Sequence, residues 1–275
     1  MMPQMQTIPV MKPSRESDSR RLTVFPNNRF DKAVSPALQV VAGPELPAYE
    51  MKFLVSDELA REIESRLSDV LEIDAHDDSA MGDGYQITTL YTDNHWLDVY
   101  YHEPPFRRHK YRLRRYGMEP HIFLERRSRW RDRVKKQRNT ICAAELPRFA
   151  ESIPAEDWAG TWFHRSLLEG NLHPVCRLSY HRMAYSSTIG ERGMRLTFDR
   201  AVRGCLTDDW ILEPFADGTP LLDGQVICEV KFCSVMPVVF KELVQDLRLQ
   251  PIRISKYRAF MRISGLLHDK RINHA

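Results

Sequence analysis

Three segments far apart in the chain repeat one arrangement, an acid and a base separated by a single residue: Glu50-Met-Lys52, Glu125-Arg-Arg127 and Glu229-Val-Lys231. Each lies in a run with strand character, and the strand period of two puts both charges of a pair on one face. Tyr180 with Arg182, and Arg195 with Thr197 and Asp199, alternate in the same way, and HKYRLRRYG (109–117) aligns Lys110, Arg112 and Arg114. In one strand such a pattern describes the wet face of an antiparallel sheet, where exposed ion pairs contribute about 0 to 1 kcal/mol. Repeated over many strands, it points to an α+β fold built on a closed antiparallel barrel of about eight strands, polar inside, with helices packed outside. A lumen ringed by Arg and Lys repels itself unless a polyanion fills it, so the expected ligand is strongly negative.

The net charge of +3 conceals this concentration, because residues 107–138 hold fourteen Lys/Arg against Glu119, Glu125 and Asp132. Charge alone allows a solvated face or a nucleic-acid patch. A plain RNA binder would interleave more stacking rings than Tyr111 and Tyr116, and no specific nucleic acid is expected. No apolar run approaches a membrane span and the N-terminus lacks a signal-peptide core, so the expected compartment is the cytoplasm. No GxxxxGK[ST] occurs, which excludes a P-loop kinase. The five cysteines are scattered and odd in number, and read as reduced packing residues rather than a disulfide or zinc framework.

Residues 1–45, rich in Pro, Ser, Gln and Arg, read as a largely disordered or extended tail, followed by one domain over 46–268 and a short tail, 269–275. Expected strands are 49–55, 86–93, 97–102, 110–116, 121–127, 175–185, 194–200 and 225–232. Expected helices are 56–72 with Ser56 as N-cap, 154–172, 237–249 opened by Pro237, and 255–267 capped by Ser255. His76, His102, His109 and His121 read as structural or solvated. The five tryptophans read as packing or rim residues, and Asp199 as a group that orients an arginine.

The ordered set YEMKF, TTLYTDN, HKYRLRRYG, IFLERRS, RVKKQR, LSYHRMAY, MRLTFDR, CEVKF and ISKYRAFM resembles the vacuolar transporter chaperone (VTC) polyphosphate polymerase domain, of the CYTH-like triphosphate tunnel metalloenzyme superfamily, over roughly 47–265. The resemblance implies an enzyme that binds ATP with Mn2+ or Mg2+ and transfers its γ-phosphate to a growing inorganic polyphosphate chain. It implies phosphate contacts from Lys52, Arg112, Arg114, Arg127, Lys135 (taken in preference to Lys136), Arg182, Arg195 and Lys231, with Ser255, Lys256 and the hydroxyl of Tyr180. Glu229 would be the metal ligand, with Glu125 as an additional candidate. Arg112, Arg114, Lys231, Lys256 and Glu229 are the catalytic set so implied. The alternatives are a tripolyphosphate or nucleoside triphosphate hydrolase of the same fold, and a noncatalytic binder of polyphosphate or RNA.

Two departures bear on this. Ala48 and Ile227 stand where an E-x-E-x-K strand would carry a further glutamate, which points away from two-metal hydrolases and towards the polymerase branch. Arg127 stands where the family commonly has Lys, keeping the charge but changing hydrogen-bond geometry. The eukaryotic inositol-phosphate-sensing SPX domain and membrane segments have no counterpart in the sequence, so a stand-alone domain is expected, with any membrane partner separate.

Overall fold

The computed structural model describes residues 49–73, 84–130, 133–187, 194–233 and 235–267, with the side chains of 129–135 and 187 outside the description. The N-terminal tail, His76 and the C-terminal tail also fall outside the described residues. Strand β1 (Tyr49–Val55) leads into α1 (Asp57–Arg66), whose first turn is capped by Ser56 Oγ accepting from Leu59 N at 3.2 Å. The short β2 (Glu72–Ile73) and the long β3 (Tyr85–Asp93) precede α2 (Asp98–Tyr101). A meander follows: β4 (His109–Tyr116), β5 (His121–Trp130) and β6 (Arg133–Cys142). Then come α3 (Thr161–Glu169), β7 (His173–Ser187), β8 (Met194–Leu206), β9 (Thr219–Pro220), β10 (Val226–Phe232), α4 (Val238–Asp246) and α5 (Lys256–Ile263).

All ten strands form one antiparallel sheet in the order β1-β10-β8-β7-β3-β4-β5-β6, with β2 on β7 and β9 on β8. The expected closed barrel needs correction in one respect: among the described residues no ladder joins β1 to β6. The free edge of β1 is taken instead by the segment that enters α5, where Ile252 N donates to Lys52 O at 2.7 Å. Side chains span the remaining gap, since Glu50 of β1 pairs with Arg127 of β5. The sheet therefore curls until its first strand reaches its second-last, with α5 at the seam.

Strand alternation sorts the two faces. Outward positions of β1, β8 and β10 (Phe53, Leu196, Phe198, Cys228, Val230) pack under α1 and α4 through Ile63, Leu67, Phe240 and Leu243. Outward positions of β3, β4 and β5 (Leu90, Leu113, Leu124) pack under α3 through Phe163 and Leu167, whereas α5 lies against the inner face, where Tyr257 stacks on Tyr91 at 5.2 Å. Each fully buried aliphatic or aromatic side chain in these layers contributes about 1.5 to 3 kcal/mol. Helices α1, α3 and α4 thus cover the apolar face and leave the polar face to the inside of the curl. Among the described residues no helix is long and apolar enough to cross a membrane.

The expected strand over 97–102 is a helix turn. Its backbone is captured by the two preceding side chains: Asp93 accepts from Val99 N and Tyr100 N, both at 2.9 Å, and Asn94 Oδ1 accepts from Asp98 N at 3.1 Å. Side-chain acceptors this close override the strand preference of L-D-V-Y-Y. Helices α1, α3, α4 and α5 are all shorter than the periodicity suggested, and β6 is an additional strand.

Candidate functional site

The inner face of the curl encloses a cavity of about 900 Å³. Register explains which residues reach it. On β1 and β10, Glu50 opposes Lys231 and Lys52 opposes Glu229, and all four line the cavity. Arg195 of β8 is level with Lys231, while Arg182 of β7 is level with Asp199 of β8. On the meander, Arg112 opposes Glu125, which opposes Arg138, and Arg127 opposes Lys136. Helix α5 and its approach complete the lining with Ser255, Lys256, Arg258 and Arg262.

Of the residues singled out in the sequence, Lys52, Arg112, Arg114, Glu125, Arg127, Tyr180, Arg182, Arg195, Glu229, Lys231, Ser255 and Lys256 all line this one cavity. The side chain of Lys135 lies outside the described residues; its neighbour Lys136 pairs with Arg127 and lines the cavity. Lys110, Arg138, Arg253, Arg258 and Arg262 also line it. Recognising β6 as a strand would have placed Lys136 and Arg138 two apart on the inward face. The spacing of Ser255, Arg258 and Arg262, three and then four residues, is the helical signal for one shared face. His102 and His109 line the cavity as well, the latter with Nδ1 2.8 Å from Ser128 Oγ.

Three carboxylate centres organise most of the cations. Glu125, 1% exposed, takes Arg112 at 2.5 Å and Arg138 at 2.7 Å. Asp199, fully buried, receives a two-pronged grip from Arg182, Nε to Oδ1 at 2.6 Å and a terminal nitrogen to Oδ2 at 2.8 Å, and also pairs with Lys256. It therefore orients an arginine, as its spacing suggested. Glu229 holds Lys231 at 2.8 Å and Lys52 at 3.1 Å, and neighbouring Glu50 holds Lys52 and Arg127. The ring of Tyr180 underlies both Lys256, at 4.6 Å, and Arg182, at 5.5 Å.

These contacts keep the acids ionised. Burial opposes charge on Glu229, but Lys231, Lys52, Arg182 and Arg127 outweigh it and hold the carboxyl well below its usual range. Burial is likewise outweighed at Glu125 by Arg112, Arg114 and Arg138, and at Asp199 by Arg182 and Lys256. At Glu50, burial and the adjacent Glu229 push upward, and Lys52, Arg127 and Lys231 prevail. Tyr180 is pulled down, because Arg114, Arg182 and Lys256 outweigh its burial.

Among the described residues no three His, Cys, Asp or Glu converge into a preformed metal cage. Glu229 and Glu50 nevertheless sit on adjacent strands, on one face, close enough that each disfavours the other's charge. One or two ionised carboxylates beside a phosphate site suit a hard divalent cation that keeps water and phosphate oxygens as its other ligands.

The chain matches the VTC domain family over residues 47–264. Its fold is similar to that of a candidate adenylate cyclase from Bacillus halodurans, at 15% identity and a TM-score of 0.49, covering 78% of this chain and 95% of that one. It is also similar to the PH1819 protein of Pyrococcus horikoshii, at 14% identity and TM-score 0.43 over 78% and 98% of the two chains. A third is a candidate adenylyl cyclase from Hippeastrum described as having a dominant triphosphatase activity, at 13% identity and TM-score 0.43 over 80% and 96%. No curated protein matches the chain.

Proposed function

The chain belongs to the VTC domain family, and we propose that it is a polyphosphate polymerase, transferring the γ-phosphate of ATP to the end of a growing inorganic polyphosphate chain inside the curl of its sheet. One observation carries this reading: strands β1, β4, β5, β6, β7, β8 and β10 and helix α5 each send at least one Lys or Arg into a single cavity whose acids are already engaged. A surplus of buried positive charge of this kind is matched by a ligand with a negative charge on every repeating unit.

In this reading a terminal oxygen of the polyphosphate chain attacks the γ-phosphorus in line. The new P–O bond forms as the bond to the β–γ bridging oxygen breaks, and ADP leaves with that electron pair. No protein nucleophile is required. Arg112 and Arg114, two apart on β4, and Arg182 and Arg195, on β7 and β8, offer forked donors to the nonbridging oxygens, whose charge is spread in the transition state. Lys52, Lys231 and Lys256 add ammonium groups as point charges. Glu125 and Asp199 fix the planes of Arg112 and Arg182 before substrate arrives, so that little reorganisation remains at the moment of transfer. Glu229, with Glu50 beside it, would hold Mn2+ or Mg2+, which when bound supplies further neutralisation of the β- and γ-phosphate oxygens.

The test is to incubate the purified chain with ATP and Mn2+ and resolve the products by gel electrophoresis and phosphorus NMR. Long acid-labile polymer is the expected product. Orthophosphate released from short substrates, with no chain growth, would replace this reading with hydrolysis. Tight polyphosphate binding without turnover would replace it with a binding role.

A further inference from the structure

Lys110 differs from the other lysines of the cavity. Its ammonium nitrogen lies 2.9 Å from Ser255 Oγ, and among the described residues no carboxylate pairs with it. Four cations from four elements act on it: Arg127 on β5, Arg258 on α5, Arg112 on its own strand and Lys52 on β1. The carboxylates nearby are committed, Glu50 to Lys52 and Arg127, and Glu125 to Arg112 and Arg138. Arg258 is in a similar position, since its guanidinium lies 5.2 Å over the Tyr100 ring while its buried Nε has no hydrogen-bond partner. Ser255, although it occupies the N-cap position of α5, makes no side-chain cap hydrogen bond. By accepting from Lys110 it keeps its own hydroxyl proton to donate.

We propose that Lys110, Ser255 and Arg258 form one phosphate subsite at the seam between β4 and α5, and that its occupancy by a polyanion is coupled to protonation of Lys110. The inference rests on the polyphosphate reading of the cavity and adds to it the residues that grip an inner phosphate and the proton that accompanies it. Three kinds of donor group line the cavity at this seam: the ammonium of Lys110, the hydroxyl of Ser255 and the guanidinium of Arg258. Burial, then Arg127, Arg258, Arg112 and Lys52, bring the amine of Lys110 down to about 7, so near neutrality its charge is in balance. A phosphate placed against it supplies the counter-charge it lacks and draws a proton from solvent. Proton uptake therefore appears above about pH 7 and vanishes below it, where the amine is already charged. His109, held below its usual value by burial, Arg126 and Arg108, titrates at lower pH and is separable on that ground.

The experiment is titration calorimetry of the full chain with long-chain inorganic polyphosphate, in chelator, using buffers of different ionisation enthalpy at about pH 6 and about pH 8. The inner phosphates of the polymer are ionised throughout this range. Wild type takes up as much as about one proton per bound chain at the higher pH and close to none at the lower. Lys110→Arg, charged at both pH values, binds without uptake, whereas Lys110→Met loses uptake and binds about tenfold or more weakly. Uptake that persists in Lys110→Arg assigns the proton to another group and overturns the proposal, as does tight wild-type binding without uptake. Absence of wild-type binding refutes the polyphosphate reading itself, and the subsite with it. Circular dichroism of both variants establishes that each is folded, and Ser255→Ala, which leaves the charge count unchanged, should reduce affinity without abolishing uptake.

Discussion

Lys231 and Lys110 both project from inward strand positions into the same cavity, yet one sits against Glu229 at 2.8 Å and the other against a serine hydroxyl among four cations. The difference separates two uses of buried charge. Around Glu229, Glu125 and Asp199, each cation has a carboxylate partner and is fixed in direction before any substrate enters, so part of the desolvation cost is offset within the fold. At the seam of β4 and α5 it is not, and the chain carries unbalanced charge that only a ligand can neutralise. Balanced sites supply geometry, whereas unbalanced sites supply driving force for the ligand.

The sharpest way to break this contrast is to convert a balanced site into an unbalanced one. Asp199→Ala leaves Arg182 and Lys256 facing each other without a counter-ion, and should lower the unfolding free energy by about 3 to 5 kcal/mol, read from urea denaturation. The same acids give the stability its pH dependence. Folded-state values of Asp199, Glu125 and Glu229 lie below their unfolded ones, so their contribution is complete above about pH 5 and is lost as pH falls through the folded values. Arg112→Ala tests what a balanced cation does for chemistry. Glu125 retains Arg138, so the loss should fall on transfer rather than on folding, about 10² to 10³ in the rate of polymer formation measured with ATP and Mn2+. Glu229→Ala should lose polymer formation to a similar extent, and more strongly at low Mn2+ if the carboxylate holds the cation. Next in size is the effect of filling the cavity: polyphosphate at about 100 times its Kd should stabilise the wild type by about 2.7 kcal/mol, visible as a rise in Tm.

How much of this was legible beforehand depended on which physical signal encoded it. The period of two is local, and it sufficed to put Glu50 with Lys52, Glu125 with Arg127 and Glu229 with Lys231 on common faces. Their convergence on one cavity depends on the curl of the whole sheet, which no single strand encodes. The edge of β1 illustrates the limit. Alternation suggested closure strand to strand, but the bond from Ile252 to Lys52 and the reach of Glu50 to Arg127 belong to tertiary structure. Residues 97–102 were misread for a related reason, because the acceptors that bend them, Asp93 and Asn94, precede the segment they control. β6 was missed because R-V-K-K-Q-R carries too few apolar residues to announce a strand, although pairing with β5 stabilises it. Tyr257 shows a further kind of omission: its hydroxyl donates to Asp93 at 2.6 Å and so ties α5 to β3, a long-range contact that positions the neighbouring Lys256.

The smallest expected effect tests the unbalanced side of the contrast in the absence of ligand. If Lys110 is held among cations at a cost, removing it should strengthen the fold, the opposite of Asp199→Ala. Lys110→Met keeps the length and apolar stem of the side chain and deletes the amine, and should raise the unfolding free energy by about 1 to 3 kcal/mol at or below about pH 7. The sign follows from linkage. The folded-state value of about 7 lies below the unfolded value of about 10.4, so between them the unfolded chain holds a proton that the folded chain has released. Wild type therefore gains stability as pH rises through this window, and the advantage of Lys110→Met should shrink over the same range. Urea denaturation of both proteins at about pH 6 and about pH 9 measures this directly. An advantage that is absent at the lower pH, or that grows at the higher one, would mean that Lys110 is as well compensated as Lys231 and that the two halves of the cavity hold their charge alike.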